Sequence, residues 1–133
     1  MKVELLTQSA EEALPLEARS IDTVVITWTL CSIPDPAAAL EEARRILKPQ
    51  GRLIFLEHGR SPDHCVQTGQ DRLTPVWRPV AGGCHLNREI DRLIEGAGFR
   101  IEELTTGSLR RLPVEICLIG RLKGSRNRPQ CIF

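Results

Sequence analysis

Hydrophobic and polar positions alternate in two rhythms along this chain. From Asp22 the residues Thr23, Val24, Val25, Ile26, Thr27, Trp28, Thr29 and Leu30 run almost without a polar break. A continuous β-branched and aromatic run of this kind predicts a strand buried on both faces, as parallel sheets require. The rhythm then changes. Leu40, Ala43 and Leu47 recur at i, i+3 and i+7, while Glu41 and Arg45 form an i, i+4 pair on the wet face. Asp35 precedes Pro36, which predicts an N-cap followed by a proline at the first helical position, where its missing N–H costs nothing. Lys48-Pro49-Gln50-Gly51 ends the helix, and Leu53-Ile54-Phe55-Leu56 reads as a second buried strand. Two apolar strands joined by a helix imply a right-handed βαβ crossover.

The flanks are read from the same rules. Residues 3–7 are a short strand candidate, and Ser9 with Glu12 has the spacing of a capping box. Residues 61–83 mix proline, glycine, polar and apolar residues, with a short helix expected over 66–73. Asn87 is placed to cap a helix whose inner face carries Ile90, Leu93, Ile94 and Ala97, with Gly98 as its stop. Gly96-Ala97-Gly98 closes a helix ahead of a strand, the reverse of a dinucleotide fingerprint. Strands are expected over 99–105 and 114–120. The division is a single domain over 1–122 and a flexible tail over 123–133.

Bulk properties narrow the function. The 133 residues suit one domain with a real core. A net charge of +1 with 26% charged residues leaves no footprint for nucleic acid. The basic cluster from Arg121 to Arg128 reads as a solubilising end. No apolar run approaches the ~20 residues of a bilayer span, and no signal-peptide pattern opens the chain, so a soluble cytoplasmic protein is expected. Five cysteines form no regular framework, and Cys31 and Cys117 lie in apolar strands, which fits buried, reduced thiols. His64-Cys65 and Cys84-His85 are adjacent pairs, unlike the spaced ligands of compact zinc motifs. No metal site is expected.

Five features of the sequence carry a family resemblance. The acidic residue opening an apolar strand, Cys31-Ser32-Ile33-Pro34-Asp35-Pro36, and Ile46-Leu47-Lys48-Pro49-Gln50-Gly51-Arg52-Leu53 together resemble the second half of class I S-adenosylmethionine-dependent methyltransferases. Gln70-Asp71-Arg72-Leu73-Thr74-Pro75-Val76-Trp77 and Gly83-Cys84-His85-Leu86-Asn87-Arg88-Glu89 are similar to the thiol methyltransferase branch. The resemblance implies an α/β fold: a truncated, Rossmann-like methyltransferase sheet, mostly parallel, with a C-terminal antiparallel hairpin. It also implies S-adenosylmethionine as cofactor and a small thiol, quinone or lipid-like molecule as methyl acceptor.

Candidate site residues follow from both sources. Open α/β sheets bind ligands outside the carboxyl ends of their strands, which puts residues 27–32 and 57–60 on the functional rim. Glu57 and His58 are the catalytic candidates, His58 as a base or an orienter, since imidazoles titrate near neutrality. Methyl transfer to a soft nucleophile can also proceed by alignment alone. Trp28 could lie against the cofactor or pack in the core, the commoner fate of a strand tryptophan. The resemblance places Gln8, Ser9 and Ala10 beside the adenine, with Thr27 and Trp28 completing the cofactor side. It makes Leu73, Trp77 and His85 the lining for a small apolar acceptor. Gln8 to Ala10 could equally serve a capping box alone.

The family's glycine-rich cofactor turn precedes the strand that Asp22 opens, whereas the first glycine in this sequence is Gly51. Glycine matters there because the backbone must approach the cofactor closely. The strand at 22–30 is therefore expected to present a free edge, covered by a homodimer contact or by residues 3–7. Two functions compete: a methyltransferase completed by dimerisation or a partner, and a non-catalytic remnant serving as an interaction or small-molecule-binding module.

Overall fold

In the computed structural model, which describes residues 3–108 and 116–124, local sequence signals place the first half of the chain closely. The Asp35 carboxylate accepts the Ala38 N–H at 3.0 Å, and Pro36 opens helix α1 (Pro36–Ile46). Strand β1 (Ile21–Thr27) precedes it and β2 (Leu47–His58) follows directly. β1 and β2 are parallel, with Val24 opposite Leu53 and Thr27 opposite Leu56. The expected βαβ unit is present.

Downstream lie helix α2 (His64–Val80), helix α3 (Ile90–Gly96), strand β3 (Phe99–Ser108) and strand β4 (Ile116–Gly124). The sheet order is β1-β2-β4-β3. β4 is antiparallel to both β2 and β3, so β1, β2 and β3 point one way and β4 opposes them. This is the mostly parallel sheet with an antiparallel C-terminal hairpin. Lys123 and Gly124 belong to β4, opposite Arg100 and Phe99, not to a tail; residues 125–133 and the expected strand start at Val114 lie outside the described residues.

α1 and α3 cover one face of the sheet. Leu40 from α1, Leu53 and Phe55 from β2, Ile90 and Ile94 from α3, and Phe99 from β3 form one buried cluster. Gly98 ends α3 at φ +86°, and the Arg44 guanidinium of α1 sits where a Cβ there would project. Arg44 Nη1 donates to the Ala97 carbonyl at 3.1 Å, tying the two helices together.

Several expectations are corrected. β1 is not buried on both faces: Val25 is 62% exposed, because the covering helices lie on one side. β1 also stops early, since Trp28 adopts φ +47° and turns the chain away from the extended path. Residues 3–20 form neither helix nor strand, so no strand at 3–7 covers the free edge of β1. The Ser9 hydroxyl bonds the Glu11 carboxylate rather than closing a capping box. The segment docks instead on α1: Leu14 N–H donates to Glu42 at 2.8 Å and Arg45 donates to the Leu14 carbonyl at 3.1 Å. The insertion helix is longer than expected and contains Pro75 and Pro79, each of which removes one helical N–H donor. Asn87 does not cap α3. That helix starts after Glu89 with no side-chain cap, and the Asn87 amide donates to Asp71 at 2.8 Å.

Candidate functional site at the carboxyl end of the sheet

The site begins with one buried acid. Glu57, near the end of β2, is fully buried, and its carboxylate accepts the Thr29, Leu30 and Cys31 N–H groups at 2.8, 3.0 and 3.1 Å. Trp28 N–H donates to the Leu56 carbonyl at 2.8 Å. Together these bonds fix the loop that leaves β1. Charge-assisted bonds of this type are roughly twice as strong as neutral ones, and without them three amides beside the core would be unpaired. Both oxygens of Glu57 are engaged with backbone, so it holds the rim in shape.

The same loop is clamped from below. Arg88 Nη1 donates to the Leu30 and Ile33 carbonyls at 2.6 and 2.9 Å. Burial is the main influence pulling the Arg88 pKa down. Gly83 has φ +89°, and a Cβ there would stand 2.9 Å from the Ser32 carbonyl oxygen. Only a glycine lets the turn after α2 lie this close. His85 N–H donates to the Cys31 carbonyl at 2.8 Å, and its Nδ1 lies 3.2 Å from the same oxygen. A carbonyl can only accept, so Nδ1 carries the proton in that bond. Burial, then the Arg88 charge, lowers the His85 pKa, which favours the neutral ring.

These constraints bring distant side chains together. Cys31 Sγ and Cys84 Sγ are 3.6 Å apart, and His58 Nδ1 lies 3.9 Å from Cys31 and 3.4 Å from Cys84. Both thiols are buried and His58 is half-buried. Hydrogen bonding from Cys31, aided by Trp77 and Ser32, pulls the Cys84 thiol down to about 7. The Cys31 thiol is pushed up, first by its bond to Cys84 and then by burial. Trp28 stacks on the His58 ring, with centroids 5.9 Å apart and planes 11° from parallel. The expectation of a core tryptophan fails here: the Trp28 ring is 57% exposed.

α2 supplies the remaining wall. The Gln70 amide is buried, accepting from Ser61 N–H and donating to the Gly59 carbonyl, each at 2.9 Å. Arg60 forms a two-pronged pair with Asp71 at 2.9 and 3.0 Å. Anchored this way, α2 presents Leu73, Val76, Trp77 and Val80 at helical spacing. Leu73 packs on the core, while Val76, Trp77 and Val80 are exposed.

The proposed site residues thus separate. His58, Glu57, Trp28, Trp77 and His85 meet at or beneath one rim. Thr27 ends β1, and its carbonyl accepts the Thr29 hydroxyl at 2.9 Å. Gln8 and Ser9 use their side chains within their own segment, on the Ala13 carbonyl and Glu11. Ala10 lines a cavity of about 180 Å³ with Thr29 and Leu30, between β1 and α1. Its neighbours Val24, Ile26 and Ala43 make that cavity apolar. For S-adenosylmethionine the fit is therefore partial: the loop after β1 and the aromatic rim are present, and Ala10 approaches that loop. Sequence reasoning missed Arg88 as a clamp and the meeting of Cys31, His58 and Cys84, because the three lie far apart in the chain and share no spacing motif.

Comparison with known proteins finds methyltransferases. A methyltransferase-domain family matches residues 1–55. Thiol S-methyltransferase TMT1B of Rattus norvegicus is 41% identical over 90 residues, covering 67% of this chain and 37% of the relative. The Homo sapiens TMT1B is 36% identical over 114 residues, covering 84% of this chain and 47% of the relative. The chain thus spans under half the length of these curated relatives. Among solved structures, an S-adenosylmethionine-dependent methyltransferase from Thermotoga maritima superposes with a TM-score of 0.66 at 24% identity, covering 92% of this chain and 65% of the other. The N-methyltransferase NodS of Bradyrhizobium japonicum, solved with S-adenosyl-L-homocysteine, gives 0.62 at 16% identity, covering 91% and 54%.

Proposed function

We propose that this chain, which belongs to the class I S-adenosylmethionine-dependent methyltransferases, supplies the acceptor side of methyl transfer to a small apolar thiol. The observation that carries this reading is the rim itself: an imidazole and two thiols under an exposed aromatic and aliphatic lining. The thiol S-methyltransferase relatives support the acceptor class.

S-adenosylmethionine, when bound, supplies an electrophilic methyl group on a sulfonium and leaves as S-adenosylhomocysteine. Each step on this chain's side has a named residue. Trp77 and the exposed stripe of α2 take up the apolar body of the acceptor. Trp28 holds the His58 ring by stacking, and His58 accepts the thiol proton as the acceptor sulfur forms its bond to the methyl carbon. Glu57 and Arg88 hold the loop between them, so that alignment needs no rearrangement during transfer. Ala10, Thr27 and Trp28 face the cofactor from this half. The nucleoside side is completed by a second chain that pairs with the edge of β1 that no described strand pairs, where an open apolar strand is a template for association.

The test is transfer of a labelled methyl group from S-adenosylmethionine to a small aromatic thiol, with the matching phenol as control. Thioether and S-adenosylhomocysteine are expected in equal amounts, with the phenol unreacted. Trp77→Ala should lower transfer by about tenfold, as the loss of an apolar pocket wall does. Binding of the thiol with no methyl transfer at any protein concentration would favour the small-molecule-binding reading instead.

A further inference from the structure

We propose that Cys31, His58 and Cys84 form a binding site for one zinc ion, with a fourth coordination position that no other described residue fills. Zinc is bound tetrahedrally, about 2.3 Å from sulfur and about 2.0–2.1 Å from imidazole nitrogen. Ligands at two corners of such a tetrahedron stand about 3.8 Å apart for two sulfurs and about 3.5 Å for sulfur and nitrogen. The separations here are 3.6 Å between the sulfurs and 3.4 and 3.9 Å from each sulfur to Nδ1. All the candidate ligand atoms lie within 4.8 Å of one another. Three corners are in place without moving the backbone.

The surroundings suit the ion as well. Two thiolates and a neutral imidazole balance a divalent cation and are soft enough to select it over calcium or magnesium. Ser32 bonds the sulfur of Cys31 at 3.4 Å. Outer partners of this kind orient metal ligands. The backbone around the ligands is fixed independently by Glu57, Arg88 and His85. Three protein ligands with one open position is the pattern of a catalytic rather than a structural zinc site.

The inference stands whether or not the chain takes part in methyl transfer. Where both hold, His58 is a ligand rather than a base, and an acceptor thiol at the fourth position loses its proton to solvent on coordination.

The test uses Co²⁺ as a spectroscopic stand-in for zinc, added to the reduced chain. Tetrahedral thiolate absorption is expected to saturate at one equivalent and to be abolished by Zn²⁺. Cys31→Ser, Cys84→Ser and His58→Ala should each weaken binding by more than the 10–100-fold that loss of an outer partner costs, while Cys65→Ser, at an exposed thiol, should not. Should a ligand variant fail to fold, thiol counting on the unmodified chain decides. Zinc should remove two thiols from reaction with a small disulfide reagent. No thiolate band at one equivalent, or an unchanged thiol count with zinc, would overturn the proposal.

Discussion

The two faces of β2 carry similar residues and meet different fates. On one face Leu53, Phe55 and Glu57 are fully buried, Leu53 and Phe55 in the cluster with α1 and α3 and Glu57 against the loop after β1. On the other, Ile54 is 37% exposed, and its cross-strand neighbour Val25 is more exposed still. An alternating burial pattern runs along one strand whose sequence is apolar at both phases. Strand composition therefore reports what a sheet can bury, and the helices decide what it does bury. The closed face positions the rim through Glu57; the open face and the free edge of β1 are where association can act.

The comparison breaks most visibly under truncation of paired positions. Phe55→Ala should cost about 3–5 kcal/mol, as deletion of a buried aromatic does, and Ile54→Ala on the open face should cost under about 1 kcal/mol. Urea unfolding of both variants checks this. Near-equal losses would mean that the open face is covered in solution.

Glu57→Gln comes next. An amide cannot accept all three N–H groups that Glu57 accepts, because one of its heavy atoms is itself a donor. The expected loss is about 1–3 kcal/mol. It should be accompanied by a change in Trp28 fluorescence, since that ring sits on the loop the carboxylate holds and stacks on His58.

A smaller effect sharpens the account of the N-terminal segment. The Arg45 guanidinium, first by hydrogen bonding, holds the Glu42 carboxyl below the ordinary value of 4.5. A depressed folded-state pKa stabilises the fold above the unfolded value and loses that contribution as pH falls through the folded one. Stability should therefore fall on acidification below about pH 5, and Glu42→Gln should flatten this part of the profile in urea titrations.

The least costly variant is Val25→Lys. At an exposed position it should change stability by no more than about 0.5 kcal/mol. A charge beside an edge strand opposes strand pairing, so sedimentation should show the unmodified chain associating and the variant not.

Much of this architecture was legible in the sequence. The Asp35-Pro36 cap, the βαβ unit and the Gly98 stop follow from local rules with local physical causes. The full length of α2 did not, because Pro75 and Pro79 argue against a helix that long-range anchors such as Gln70 sustain. Asn87 has the residue type of a cap, yet a partner distant in sequence, Asp71, competes for its amide. The rim was legible in part. Glu57, His58 and the β1 loop follow from topology, and the resemblance pointed to Trp77 and His85. Cys31, His58 and Cys84 converge only through the folded positions of β2, the loop after β1 and the Gly83 turn.

The central claim is that the methyl-transfer site is assembled across the free edge of β1. Calorimetric titration with S-adenosylhomocysteine tests it most directly, run at protein concentrations below and above self-association and repeated with Val25→Lys. Micromolar binding, about −8 kcal/mol, is expected in the associated chain and absent in Val25→Lys. Equal affinity in both, or no heat from the associated chain, would contradict the account.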